Sequence, residues 1–322
     1  LLRVAACFVI GLIREQGIVP DRPAPLNQSV REKTVMAISN PVEWGVQRLG
    51  AAANATGTVG RGVLETETAP PRPLTAPRHI TTADLRDALA RGWDDFAANR
   101  TDVIMLCVFY PLLGLIFGRL ASGHELMPLI FPLASGFALV GPLAGVGLYE
   151  MSRRRERGEP VSWATPFAVL NAPSFGAILM LGVVLVGLLG LWLLAANTIY
   201  AATLGPDAPQ SLSAFAHDVF ATSRGWAMIL VGMGVGFVFA LVVLAIATVS
   251  FPMLLDRRIG MEAAVWSSVR ALLANPRTMA IWGLIVAVLL VAGSIPLFFG
   301  LVVVVPVLGH ATWHLYRKLL PG

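Results

Sequence analysis

Charge is scarce in this sequence. Asp, Glu, Lys and Arg together make up 13% of its 322 residues, against about 25% in an ordinary soluble domain. Cysteine is nearly missing too: Cys7 and Cys107 stand far apart, which excludes a disulfide framework and a CxxC metal site. Among 24 basic residues only Lys33 and Lys318 are lysines, a usage typical of GC-rich bacterial genes. No GxSxG, HExxH, P-loop or paired-carboxylate pattern occurs, so an enzyme reading has no residues to rest on. The formal charge of +5 and pI near 9.8 do not point to nucleic acid, because no basic run is interleaved with aromatics.

Apolar residues are what the chain has in excess, at 56%. They fall in long uncharged runs, which is the pattern of an all-α, polytopic transmembrane helical bundle. The runs 103–118, 126–149 and Phe175–Thr203 are three spans, and 225–255 contains a fourth. The last run, 278–316, is nearly twice one crossing, and Gly293-Ser-Ile-Pro296 divides it into spans at 279–294 and 297–313. The expected count is about six.

The arginines orient these spans. Segments before span one, between two and three, between four and five, and after six carry fourteen basic residues, whereas the opposite side carries Arg119 and Arg224. By the positive-inside rule both termini are expected on the cytoplasmic side of the membrane.

Three regions divide the chain. Residues 1–35 hold a ten-residue apolar run too short to span and precede the first methionine, Met36; they read as upstream or mis-started sequence. Residues 36–77 read as a short N-terminal helix and a Gly- and Pro-rich linker, and 78–322 as the membrane domain. That domain opens with Thr81-Thr-Ala-Asp84, spaced as a capping box. An amphipathic helix follows, with Leu85, Leu89, Trp93 and Phe96 on one face and Asp84, Arg86, Asp87, Arg91, Asp94 and Asp95 on the others.

Two cytoplasmic connections repeat at an offset of 103 residues. Arg154-Arg155, Trp163, Leu170 and Pro173 correspond to Arg257-Arg258, Trp266, Leu273 and Pro276. The expectation is a parallel internal repeat with equivalent cytoplasmic amphipathic segments at 162–172 and 263–275; shared interfacial composition is the competing explanation. Arg154, Arg155, Arg257 and Arg258 are the expected contacts for anionic lipids of the bilayer.

No ionisable residue occupies a span centre, which argues against a proton-coupled transporter. Glu150 and Asp256 at span ends are expected to form local ion pairs. His310 and His314 share one helical face at i, i+4 spacing. Interfacial anchoring beside Trp313 and Tyr316 is one reading, and a cofactor-binding pair for haem or quinone is the other. No metal site and no resident cofactor are expected.

From Arg78 onward the chain resembles a bacterial integral-membrane family catalogued as domain of unknown function 2189. The residues that carry the likeness are Phe131-Pro-Leu-Ala-Ser-Gly-Phe-Ala-Leu-Val-Gly-Pro142, Gly147-Leu-Tyr-Glu-Met-Ser-Arg-Arg154, Pro173-Ser-Phe-Gly176, Ser250-Phe-Pro-Met-Leu-Leu-Asp-Arg257 and Gly309-His-Ala-Thr-Trp-His-Leu-Tyr316. The resemblance implies a multi-pass inner-membrane protein without an established activity. The first functional expectation is therefore a non-enzymatic accessory, structural or regulatory protein working within a membrane protein complex. A channel or transporter for a small solute, lined by glycines, Ser135, Asn197 and Thr248, is the alternative.

Overall fold

The computed structural model describes residues 76–98, 119, 128–162, 164–207, 209–296 and 298–321. The expectations for 1–35, for 36–75, for the first span at 103–118, and for Cys7, Cys107 and Trp163 lie outside the described residues.

Every described element is helical, as a chain in hydrocarbon requires, because a helix satisfies its own backbone N–H and C=O groups. Helix α1, Thr82–Ala98, starts as the capping-box spacing predicts. The Asp84 carboxylate reaches back to accept from the Thr81 backbone N–H at 2.8 Å and from its hydroxyl at 2.9 Å. Its buried face is Leu85, Ala88, Gly92, Asp95 and Phe96. This corrects the expected pattern at two positions. Trp93 is 53% exposed, and Asp95 is buried at 6%, because the side that meets the bundle is turned by one residue.

Helices α2 (Ile130–Ala144) and α3 (Val146–Glu156) form one leg, interrupted at Gly145 three residues after Pro142. A 3-10 helix, Thr165–Asn171, leads into α4, Phe175–Thr203. Helix α5 (Leu212–Ala221) is capped by Ser211, and α6 (Ser223–Ala247) by Thr222; each hydroxyl accepts a first-turn N–H, one of the donors a helix start leaves open. Helix α7 (Ser250–Asp256) extends α6. Then come α8 (Met261–Ala274), α9 (Pro276–Ser294) and α10 (Leu301–Leu319).

Four of these legs are long and apolar enough to cross a membrane: Ile130–Glu156, Phe175–Thr203, Ser223–Asp256 and Pro276–Ser294. In each, only 17–28% of the most apolar stretch is buried within the protein. The remainder exposes side chains such as Val183, Leu194, Leu230, Phe237 and Val291. Apolar surface on that scale needs a lipid solvent. Helix α10, expected as the sixth span, is not among the four, because its polar second half, from His310 to Lys318, offsets its apolar first half.

The legs alternate in direction. Ser174 at the start of α4 donates to the Leu254 carbonyl at the end of α7, Arg153 near the end of α3 donates to Leu255 O, and Arg257 donates to Leu320 O after α10. Asn275, before α9, holds the Ile80 N–H and the Arg78 carbonyl ahead of α1. All these ends therefore meet at one end of the bundle. Within the apolar part, Trp192 of α4 fills the space left by Gly136 and Gly236 and donates to Pro132 O at 2.9 Å.

The two repeat-related segments are both helical but not equivalent. The first is the seven-residue 3-10 helix, and the second is the fourteen-residue α8. Proline accounts for the difference. Pro166 falls within the first segment, at the start of its 3-10 helix, whereas none falls between Gly260 and Pro276, and a proline bars a helix from running on through the turn before it. Trp266 is partly exposed with Arg270 over its ring at 5.4 Å.

Candidate functional site

The site is built where α1 crosses the end of α10. The two run antiparallel: Lys318 lies against Asp84 and Asp87, and His314 against Asp95. The approach is close because Gly92 has no side chain; a Cβ there would lie 2.7 Å from the Ala311 nitrogen and 2.8 Å from the Val307 oxygen. Gly309 plays the same part on the other side of α10, against Leu148 of α3. Two glycines thus let three helices converge on one carboxylate.

That carboxylate is Asp95. Its Oδ2 accepts from Ser152 Oγ at 2.5 Å and from His314 Nε2 at 2.8 Å, and its Oδ1 faces Arg155 at 3.0 Å. Burial pushes the Asp95 carboxyl up, but the bonds from His314 and Ser152 outweigh it and hold the group below its ordinary value. Beyond Ser152 stands His310, whose Nδ1 lies 2.8 Å from Ser152 Oγ. His310 is fully buried and Ser152 is 1% exposed. The Leu148 carbonyl acts on the His310 ring, but Nε2 makes no hydrogen bond.

Asp95 and His314 also line an open pocket of about 430 Å³, together with Arg91, Asp94, Arg155, Glu156, Arg317 and Lys318. Its charges are largely matched. Arg317 bonds Glu156 at 3.0 Å, and Lys318 bonds Asp87 at 2.8 Å. Lys318 in turn holds the Asp87 carboxyl low, and the Thr81 backbone N–H does the same for Asp84.

A second polar group surrounds Glu150, which is 2% exposed. Arg153 and Arg154 of the same helix both bond it, the local pairing expected from the sequence. Asp256 differs. Its partners are Arg157, Arg317 and the Tyr316 hydroxyl, from two other segments. Adjacent Arg257 instead donates to Tyr316 and to the Leu320 carbonyl.

The expected lipid-contact arginines are therefore not alike. Arg154, Arg155 and Arg257 bond protein groups, while Arg258 is exposed. The structure also joins His310 and His314 through Ser152 and Asp95, with one nitrogen of each ring engaged. Ser135 and Thr248 bond carbonyls of their own helices, and Asn197 is exposed while Thr248 is buried, so these three do not line one surface. Among the described residues no group of three or more His, Cys, Asp or Glu side chains is placed to hold a metal ion.

Serine, histidine and aspartate together invite comparison with an acyl-transfer triad, but the order of bonds differs. In a triad the imidazole stands between hydroxyl and carboxylate and removes the hydroxyl proton. Here the hydroxyl stands between the other two and is committed to the carboxylate. Asp95 and Ser152 are the residues that sequence reading missed. Asp95 sits in a run of charged residues that reads as a solvated face, and a serine inside an apolar leg carries no signal of its own.

No curated protein and no solved structure matches the chain. Most of the sequence motifs noted above fall between residues 130 and 256, and that segment matches the model of the family described as predicted integral membrane protein, DUF2189. With four legs able to cross a bilayer, the chain is a multi-pass membrane protein whose central segment matches that family's model.

Proposed function

We propose that this chain is a non-enzymatic accessory, structural or regulatory protein of a bacterial inner membrane, with both termini cytoplasmic. The observation that carries this reading is the cross-bonded polar layer at one end of the bundle. Asp95, Glu156 and Asp256 each bond cations from another helix, and Asn275 and Ser174 tie further segments to it. Groups bonded in this way fasten helices together. They do not form an open set of donors and acceptors aimed at a substrate. The basic residues concentrate in the same layer, which supports a cytoplasmic position for it, and exposed Arg258 is the arginine best placed for anionic headgroups.

Affinity capture of the full chain from membranes in a mild detergent tests the reading. A stoichiometric membrane-protein partner is expected. Capture of the chain alone, together with solute flux through proteoliposomes of the purified protein, would replace it with the transport reading.

A further inference from the structure

The carboxylates at the polar end of the bundle leave several arginines unpaired, and three of these belong to one corner, where α8 gives way to α9. Arg78, Arg270 and Arg277 are exposed, and none of them bonds a carboxylate among the described residues. Arg270 and Arg277 flank the corner in sequence. Arg78 is brought to it by the fold. Asn275 Nδ2 donates to the Arg78 carbonyl at 3.0 Å, the Ile80 N–H donates to Asn275 Oδ1 at 2.8 Å, and Thr278 donates to the Ile80 carbonyl at 3.0 Å. The segment ahead of α1 is thus laid along the start of α9. None of the three is among the four arginines expected to meet anionic lipid.

An apolar stripe runs from this corner. Ile281, Leu284, Val288 and Val291 follow Arg277 at helical spacing and are all exposed, so they lie on the face of α9 on which Arg277 stands. The 19 residues of α9 rise about 28 Å, close to the roughly 30 Å of bilayer hydrocarbon. Arg277, in the first turn, therefore falls at the hydrocarbon boundary. From Ile281 to Val291 the stripe is about 15 Å long, the depth of one leaflet. Helix α8 marks the same level. Trp266, Arg270 and Leu273 share its exposed face, with the Arg270 guanidinium 5.4 Å from the Trp266 ring, and an exposed tryptophan favours the headgroup region. The acid on that face, Glu262, lies in the first turn of α8, away from the corner. The other legs lack this combination at the same end. Helix α4 begins without a charged residue, α7 is buried, and the arginines that end α3 bond Glu150 and Asp95.

We propose that the corner between α8 and α9 binds one anionic phospholipid, with Arg78 and Arg277 on its phosphate, Arg270 and Trp266 flanking its headgroup, and an acyl chain along Ile281, Leu284, Val288 and Val291. Phosphate oxygens only accept, and a guanidinium only donates and keeps its charge. Arginines with no carboxylate to answer them leave a positive charge that an anionic headgroup neutralises and a zwitterionic one does not. A soluble phosphate would answer the arginines but leave the stripe bare. The stripe and Arg277 share one face of one helix, and that continuity selects a lipid.

The inference rests on α9 crossing the bilayer and not on the accessory reading. The full chain, purified in a neutral detergent, is mixed with phosphatidylglycerol or with phosphatidylcholine of the same acyl chains, and bound lipid is counted by native mass spectrometry. Preferential retention of phosphatidylglycerol is expected. A juxtamembrane arginine contributes roughly fivefold to such binding. Retention should therefore weaken by roughly that factor in Arg277→Gln and by roughly thirtyfold when Arg78→Gln is added. Lysine at both positions keeps the charge and should restore most of it, which separates loss of charge from loss of fold. Arg224→Gln removes the same charge at the start of α6 and should change nothing. Phosphatidylglycerol with a diazirine in its acyl chain should label 281–291 in preference to the exposed face of α4 at 183–194, and the phosphatidylcholine analogue should show no preference. Inorganic phosphate in excess should not displace the lipid. Equal retention of the two lipids, an equal loss in Arg224→Gln, labelling spread evenly over α4 and α9, or displacement by inorganic phosphate would each overturn the proposal. Capture of the chain with or without a protein partner leaves these readouts untouched.

Discussion

Gly92 is the position on which the site geometry depends most directly. A Cβ added there falls 2.7 Å from the Ala311 nitrogen, 2.8 Å from Ala311 Cβ and 2.8 Å from the Val307 oxygen, so two of the three obstacles are backbone. Ordinary contact begins near 3.4 Å, and Gly92→Ala therefore requires α1 and α10 to part by roughly 0.6 Å, an overpacking that costs about 1–3 kcal/mol. Alanine recovers about 1 kcal/mol of helix propensity relative to glycine. Against that, parting the helices stretches the Asp95–His314 and Lys318–Asp87 bonds, each worth about 1 kcal/mol net. With both bonds lost, the sum is a destabilisation of about 2–4 kcal/mol. Equilibrium unfolding of the full chain in mixed micelles measures it, with Gly234→Ala as the control, since a Cβ at Gly234 meets nothing within 4 Å. A Gly92→Ala protein as stable as the parent, or a Gly234→Ala protein destabilised as much, would refute the close-packing argument.

Two further outcomes are expected. Because the folded-state pKa of Asp95 lies below the ordinary 3.8, its bonds contribute fully above that pH and are lost as pH falls through the lower folded value. The melting temperature of the parent should therefore drop more steeply in acid than that of Asp95→Asn; equal slopes would show that Asp95 gains nothing from ionisation. The proposed orientation is checked with introduced cysteines. Those at 205–213 should react with an impermeant reagent in intact spheroplasts and those at 155–159 should not, and the reverse labelling would invert the topology.

The apolar legs were legible in the sequence because each is a local property: a run of uncharged residues in lipid has no alternative to a helix. The boundaries of α4 and the start of α1 follow from the same local chemistry, an uncharged run in one case and Thr81 with Asp84 in the other. The pairing of Glu150 with Arg153 and Arg154 is local too, lying within one turn. The likeness of the two arginine-edged connections was also visible, but Pro166 turned one into a short 3-10 helix.

What only the tertiary structure decided is which polar groups meet. Asp95, Ser152 and His310 are separated by 57 and 158 residues. Nothing in helical periodicity connects them, because periodicity reports which face of one helix is apolar, not which neighbour that face receives. Gly92 and Gly309 settle the matter by steric absence, allowing α10 to approach α1 and α3 closely enough for three side chains to share one hydrogen-bonded series. The sequence by itself therefore determined the solvent and the helices, and close packing in three dimensions determined the site.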